Sequence, residues 1–331
     1  MIGRIHRWFL LVGIVTAPIA CDNVSWGGMS IRLESPPTDT VEGVGEVEGE
    51  GPERIQYGAL LYAGTRQGDS AVVLPVAELV EGRLRALPQG EEGALLARQI
   101  LEERLPSGRA LSLYHQGGRI GTFTVSSAAE VDEAFCPPRP EARGHVELIP
   151  SAAGAERFLA LSPGIVTETL LGTYQELEAT RAQRTAAQNL AGEALNELRA
   201  PWPPALQDIR RDLQVFETQG REGPGISTTF VYRDEMAVEP AGDDAYALLL
   251  LGEPIGGRLQ RTFTWYRPVA TEGKGAPRLF SWMDWDEDGS DEILLEVFGA
   301  QARWWAALDR EGETSWSVTF QDSCGGPTNP S

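Results

Sequence analysis

The nine residues Asp284-Trp285-Asp286-Glu287-Asp288-Gly289-Ser290-Asp291-Glu292 crowd six carboxylates together with no lysine or arginine among them. A fold that closes this segment into one turn must reconcile like charges, and a bound cation does so directly. Hard divalent ions prefer carboxylate and carbonyl oxygens, and Ca²⁺ takes six to eight of them. Asp284, Asp286 and Asp288 at relative positions 1, 3 and 5, a bend at Gly289, the Ser290 carbonyl at 7 and Glu292 at 9 can supply such a shell. The simpler alternative is a solvated acidic turn, since Asp and Gly are common in loops. Acids at alternate positions with glycine at the sixth are more than a turn requires.

The spacing also separates classes of calcium loop. An EF-hand wants a bidentate Glu at position 12 and a helix beyond it. Here position 12 is Leu295, and Ile293-Leu294-Leu295-Glu296-Val297-Phe298 reads as a strand. The segment resembles the D-x-D-x-D-G-x-x-[DE] loop of FG-GAP and VCBS-type repeats, which lies between two β-strands. That resemblance implies Asp284, Asp286, Asp288 and Glu292 as side-chain ligands, the Ser290 carbonyl as a further ligand, and Ca²⁺ as a structural ion. Those families repeat the unit around a β-propeller. This chain has one copy and no repeat period of 20 to 50 residues, so a propeller does not follow.

At the amino terminus, Arg4, His6 and Arg7 precede the apolar run Trp8 to Thr16, which ends in Ala17-Pro18-Ile19-Ala20-Cys21. This resembles a bacterial lipoprotein signal over residues 1–21, with Cys21 as the lipidated residue, although Pro18 stands where the family usually has Leu. An ordinary secretory signal is the alternative. The apolar run falls well short of the ~20 residues a membrane-spanning helix needs. Lipidation would place the chain in the cell envelope, held to a membrane. Cys136 and Cys324 then form an even pair in a compartment where disulfides persist; two unpaired thiols are the alternative.

A net charge of −20 excludes a nucleic-acid-binding surface. Residues 22–54 carry Pro36-Pro37 and an acidic Gly-rich stretch with few aromatics, as a flexible tether does. Residues 55–163 mix strands with one helix and predict an α+β domain. The strands are placed at Tyr57 to Tyr62, Ser70 to Val76, Leu111 to Tyr114, Gly121 to Val125, His145 to Ile149 and Arg157 to Leu161. Leu95, Leu96, Ile100, Leu101 and Leu105 keep helical spacing.

Residues 164–219 predict a helical hairpin. One long helix carries the stripe Leu170, Tyr174, Leu177, Ala187, Leu190, Ala191, Ala194, Leu195 and Leu198. A break at Pro201-Trp202-Pro203-Pro204 and a shorter helix through Leu206, Ile209, Leu213 and Phe216 follow. The stripe is open to two readings, an arm for a partner protein or a face packed on a neighbouring sheet.

Residues 220–331 predict an antiparallel β-meander of seven strands. Six of the nine tryptophans fall there, at Trp265, Trp282, Trp285, Trp304, Trp305 and Trp316. Alternation puts Phe280 with Trp282 on one face, and Trp316 with Val318 and Phe320. The fold class expected is therefore α+β: an α+β domain, a helical hairpin and an antiparallel β domain.

No catalytic motif emerges. The chain lacks H-E-x-x-H, G-x-S-x-G, S-x-x-K, Walker and G-x-G-x-x-G patterns, and Lys274 is its sole lysine. The expectation is a non-enzymatic interaction or scaffold protein with a structural Ca²⁺ site and an envelope-protein partner. The alternative is a glycan-binding or carbohydrate-active protein that uses the Trp-rich sheet.

Overall fold

Strand Arg157–Leu161 alternates two sets of apolar side chains, with Phe158 and Ala160 on one side and Leu159 and Leu161 on the other, and all four are buried. A strand buried on both faces must separate two cores, and that condition organises the molecule. The computed structural model describes residues 54–132, 134–167 and 173–322, with side chains of 128–132 left aside. The leader, Cys21, the tether up to residue 53, Leu170 and Cys324 lie outside the described residues.

Among the described residues, fifteen strands and a few helices form one compact unit. In chain order β1 is Ala59–Gln67, β2 Ser70–Val80, β3 Arg83–Arg85, β4 Ala110–His115, β5 Gly118–Asp132, β6 Arg139–Leu148 and β7 Arg157–Leu161. These seven form one antiparallel sheet in the order β1-β7-β4-β5-β6-β2-β3, and β1 also pairs with β2. Six strands thus close into a barrel, with β3 as a flap on β2. The barrel interior holds Tyr62, Val73, Leu111, Leu113, Phe123 and Phe158, among others. The helix α1 (Gly90–Gln99) and the π turn Ile100–Arg104 bring Leu96, Ile100 and Leu105 to that core. Gly64 admits the Phe158 ring: a Cβ there would lie 2.1 Å from it.

The rest is two four-stranded antiparallel meanders. One is β8 (Arg210–Phe216), β9 (Gly225–Tyr232), β10 (Tyr246–Ile255) and β11 (Arg258–Pro268). The other is β12 (Ala276–Met283), β13 (Glu292–Phe298), β14 (Arg303–Arg310) and β15 (Trp316–Gln321). The β12–β15 sheet is the central layer. Phe280, Met283, Leu294, Trp305 and Phe320 pack on the outer wall of the barrel against Leu61, Leu74, Val76 and Leu159. Trp282, Ile293, Leu295, Trp304 and Trp316 pack on Leu249, Leu251 and Phe216 of the β8–β11 sheet. The far face of that sheet is covered by the helix α2 (Arg181–Leu198) through Ala187, Leu190, Ala191, Ala194 and Leu195. Every residue of β13 is buried. The one charge in its middle, Glu296, is bracketed by Arg278 Nε and Arg303 Nη1, both at 2.9 Å.

The α+β expectation is overturned: the fold is mostly β, a barrel joined to two further antiparallel sheets, and the described residues contain no helical hairpin. The strands expected between 55 and 163 are barrel staves. Helix α2 begins only at Arg181, because Thr180 and Gln183 form a capping box. The Thr180 hydroxyl accepts from the Gln183 N–H at 3.2 Å, and Gln183 Oε1 accepts from the Thr180 N–H at 2.9 Å. Tyr174, placed on the helix stripe by spacing, lies outside any helix and packs in the barrel core, 5.9 Å from the His115 ring.

The second helix is a single turn, α3 (Leu206–Ile209), and residues 210–216 become the edge strand β8 paired to β9. Leu213 and Phe216 then face opposite sides of the sheet. Two face assignments fail for one reason. Bulges at Leu279/Ser281 and Ala307/Leu308 add a residue to β12 and β15, so Phe280 and Phe320 turn to the barrel while Trp282 and Trp316 turn away.

His115, at the end of β4, sits against Ser281 Oγ of β12 at 3.2 Å. Burial pushes its imidazole down from 6.5 to about 4, and Arg157 adds repulsion. The unfolded chain therefore takes up this proton first as pH falls, and stability is lost between about 6.5 and 4. The contribution is roughly 3 kcal/mol. In urea melts at fixed metal concentration, His115→Gln should flatten the fall in unfolding free energy across that window. Equal slopes in the two proteins would refute the assignment.

Candidate metal site

The acidic segment is the β12–β13 connection, with Asp284 directly after β12 and Glu292 opening β13. Glu287 and Gly289 take positive φ, 63° and 90°, which folds the loop back on itself. Backbone N–H groups then meet the carboxylates. Gly289 donates to Asp284 Oδ2 at 3.0 Å, Asp288 to Asp286 Oδ1 at 3.1 Å, Ser290 to Asp288 Oδ1 at 2.8 Å and Trp285 to Glu292 Oε2 at 2.9 Å. Trp285 itself points into the core between barrel and central sheet and is buried there.

One oxygen from each of Asp284, Asp286, Asp288 and Glu292 lies within 4.8 Å of the others, a cluster that could hold a metal ion. Two unit charges about 4 Å apart repel by roughly 4 kcal/mol at an effective dielectric near 20, so four such charges do not coexist without a counter-charge. Burial, followed by the neighbouring carboxylates, pushes Glu292 up to about 10. Burial likewise raises Asp284 and Asp286, against backbone N–H bonds that pull the other way. Asp284 Oδ1 and Glu292 Oε1 are buried and have no hydrogen-bond partner. Orphaned oxygens on two members of a carboxylate cluster match the needs of a hard cation.

Four of the five sequence-derived ligands, Asp284, Asp286, Asp288 and Glu292, are thus brought together. Asp291, pushed up to about 6 by burial, lies outside the cluster, and its Oδ2 accepts from the Gln219 N–H at 2.8 Å. The loop is a junction. Thr167 N–H donates to Glu287, Gln219 ties it to the segment after β8, and the β2–β3 turn packs on Asp286. No local pattern in the sequence marks Thr167, Gly82 or Gln219 as neighbours of the loop, because all three arrive from distant segments.

Of the six clustered tryptophans, Trp282, Trp285, Trp304, Trp305 and Trp316 are buried and Trp265 is half-buried. Trp304 and Trp305 point to opposite faces of the central sheet. Comparison with protein-family models, with curated proteins and with solved structures finds no match to this chain.

Gly82 has φ 79°, and a Cβ there would lie 2.5 Å from Asp286 Cβ. Gly82→Ala should therefore displace Asp286, destabilise the fold by about 1–3 kcal/mol and weaken cation uptake about tenfold. Gly68→Ala is the control, since its φ of 62° brings the same backbone strain with nothing within 4 Å. Calorimetric titration of both variants giving the same affinity would contradict the contact's role.

Proposed function

We propose that the chain is an exported, lipid-anchored protein of a bacterial cell envelope, a non-enzymatic scaffold whose single Ca²⁺ is a structural staple. Asp284, Asp286, Asp288 and Glu292 would hold the ion through side chains and Ser290 through its carbonyl, as in the loops of FG-GAP and VCBS-type repeats. The observation that carries this reading is the acidic cluster with orphaned oxygens on Asp284 and Glu292, set where barrel, central sheet and the segment after β8 meet. Calcium there supplies charge neutralisation and ties three parts of the fold together. It has no step to perform in a reaction.

The anchor is the lipid on Cys21. Among the described residues no helix is long and apolar enough to cross a membrane. A Cys136–Cys324 disulfide fits the same compartment. The Cys136 N–H donates to the Arg303 carbonyl of β14 at 2.9 Å. Buried Arg139 reaches Asp322, two positions before Cys324, at 2.6 Å. The partner would be another envelope protein. A sugar-stacking role gains nothing from the placement of Trp282, Trp285, Trp304, Trp305 and Trp316, since ring faces engaged in core packing are not offered to a ligand.

At 5 mM Ca²⁺ and a dissociation constant on the order of 10⁻⁴ to 10⁻³ M, binding should stabilise the fold by roughly 1–2 kcal/mol, a rise of several degrees in Tm. Asp286→Ala with Asp288→Ala should abolish that rise. In EDTA the same variant should melt at or above the wild-type temperature, because like-charge repulsion is relieved. A Tm indifferent to calcium would end the proposal.

For the anchor, metabolic labelling with a radioactive fatty acid should mark the wild-type chain and not Cys21→Ser. Equal labelling, or none in either, would exclude lipidation at this residue.

A further inference from the structure

We propose that the cavity between the β4–β5 turn and the segment following β8 binds a small organic ammonium ion, with Asp291 as its counter-charge. The cavity has a volume of about 260 Å³, and Gln116, Gly117, Thr173, Glu217, Trp282 and Asp291 contribute to its wall. Asp291 is only 1 % exposed. Its Oδ2 is taken by the Gln219 N–H, while Oδ1 has no partner. The Gln116 side-chain oxygen is likewise buried and unpartnered. Both residues line the same space, and the turn at Gly117 comes close enough that a Cβ there would lie 3.6 Å from Asp291 Oδ1.

Buried acceptors without donors are unfavourable, and here one of them is a carboxylate. Two of the neighbouring donors are already used. Arg221 Nη1 donates to the Glu313 carbonyl at 2.7 Å, and Trp282 Nε1 donates to the Glu217 carbonyl at 3.1 Å. What fits is a group that brings several donors and positive charge, needs no acceptor, and occupies little space. A primary ammonium offers three N–H donors and nothing to accept with. A divalent ion is a poorer match, because one carboxylate and one amide oxygen fall well short of the six oxygens it requires. The half-buried Leu177 offers apolar surface to a short alkyl chain. Asp291 is not one of the four clustered acids, so this proposal does not rest on calcium occupying the loop.

The test titrates the full chain with n-propylammonium chloride and, separately, with 1-propanol, which matches it in size and lacks the charge. Binding is followed by saturation-transfer NMR, once in calcium and once in EDTA. We expect propylammonium to bind in the millimolar range and propanol at least tenfold more weakly. Asp291→Asn should lower the ammonium's affinity at least fivefold. Gln116→Gly, which keeps the left-handed backbone of that turn, should also weaken it and serves as the second variant should Asp291→Asn fail to fold. Equal binding of the two probes, no binding of either, or unchanged affinity in both variants would overturn the proposal. A second calcium equivalent per chain that disappears in Asp291→Asn would also overturn it, in favour of a metal site.

Discussion

Burial of the central sheet on both faces is the constraint from which the rest of the architecture follows. Strand β13 has no exposed residue, and its neighbours β12 and β14 send alternate side chains into two separate cores. An antiparallel sheet usually leaves one face to water. Here neither face can be left there, so one must be covered by a barrel wall and the other by a second sheet. That second sheet, itself apolar on its outer side, needs α2 to finish it. The stack of barrel, sheet, sheet and helix covers each of these apolar faces in turn.

Charge is handled within the stack by pairing. Glu296 lies between two arginines, and Arg139 meets Asp322 with both side chains wholly buried. Lys274, the one lysine, is likewise buried against Asp234 at 2.7 Å. Taking one partner from such a pair leaves a buried charge uncompensated, which is where loss of stability is largest. The acidic loop is the exception to this rule. Its carboxylates face one another with no arginine or lysine among them, and its backbone N–H bonds satisfy only some of their oxygens.

The β-bulges show how local irregularity decides which residues meet. One added residue in β12 and one in β15 carry Phe280 and Phe320 to the barrel side, where Phe280 meets Trp305 edge-on with ring centroids 5.0 Å apart. Strict alternation would have left both aromatics in the other core. The contact between barrel and central sheet is built in part from these displaced rings.

Much of this was legible in the chain itself. Runs such as Ile293 to Phe298, bounded by Gly and Asp turns, determined strands β9 to β15, because period and turn chemistry are local properties. The spacing of Asp284, Asp286, Asp288 and Glu292 determined the cluster, since a loop that short has few ways to close. The Thr180–Gln183 capping box was also there to be read, and it would have stopped α2 at its true start. What only the tertiary structure decided is which faces meet. Closure of β1 on β2, the conversion of 210–216 from helix spacing to an edge strand, and the arrival of Gly82, Thr167 and Gln219 at the loop all depend on contacts between residues far apart in the chain. Such contacts are selected by the burial of whole surfaces, and no window of sequence contains both of the surfaces that are buried.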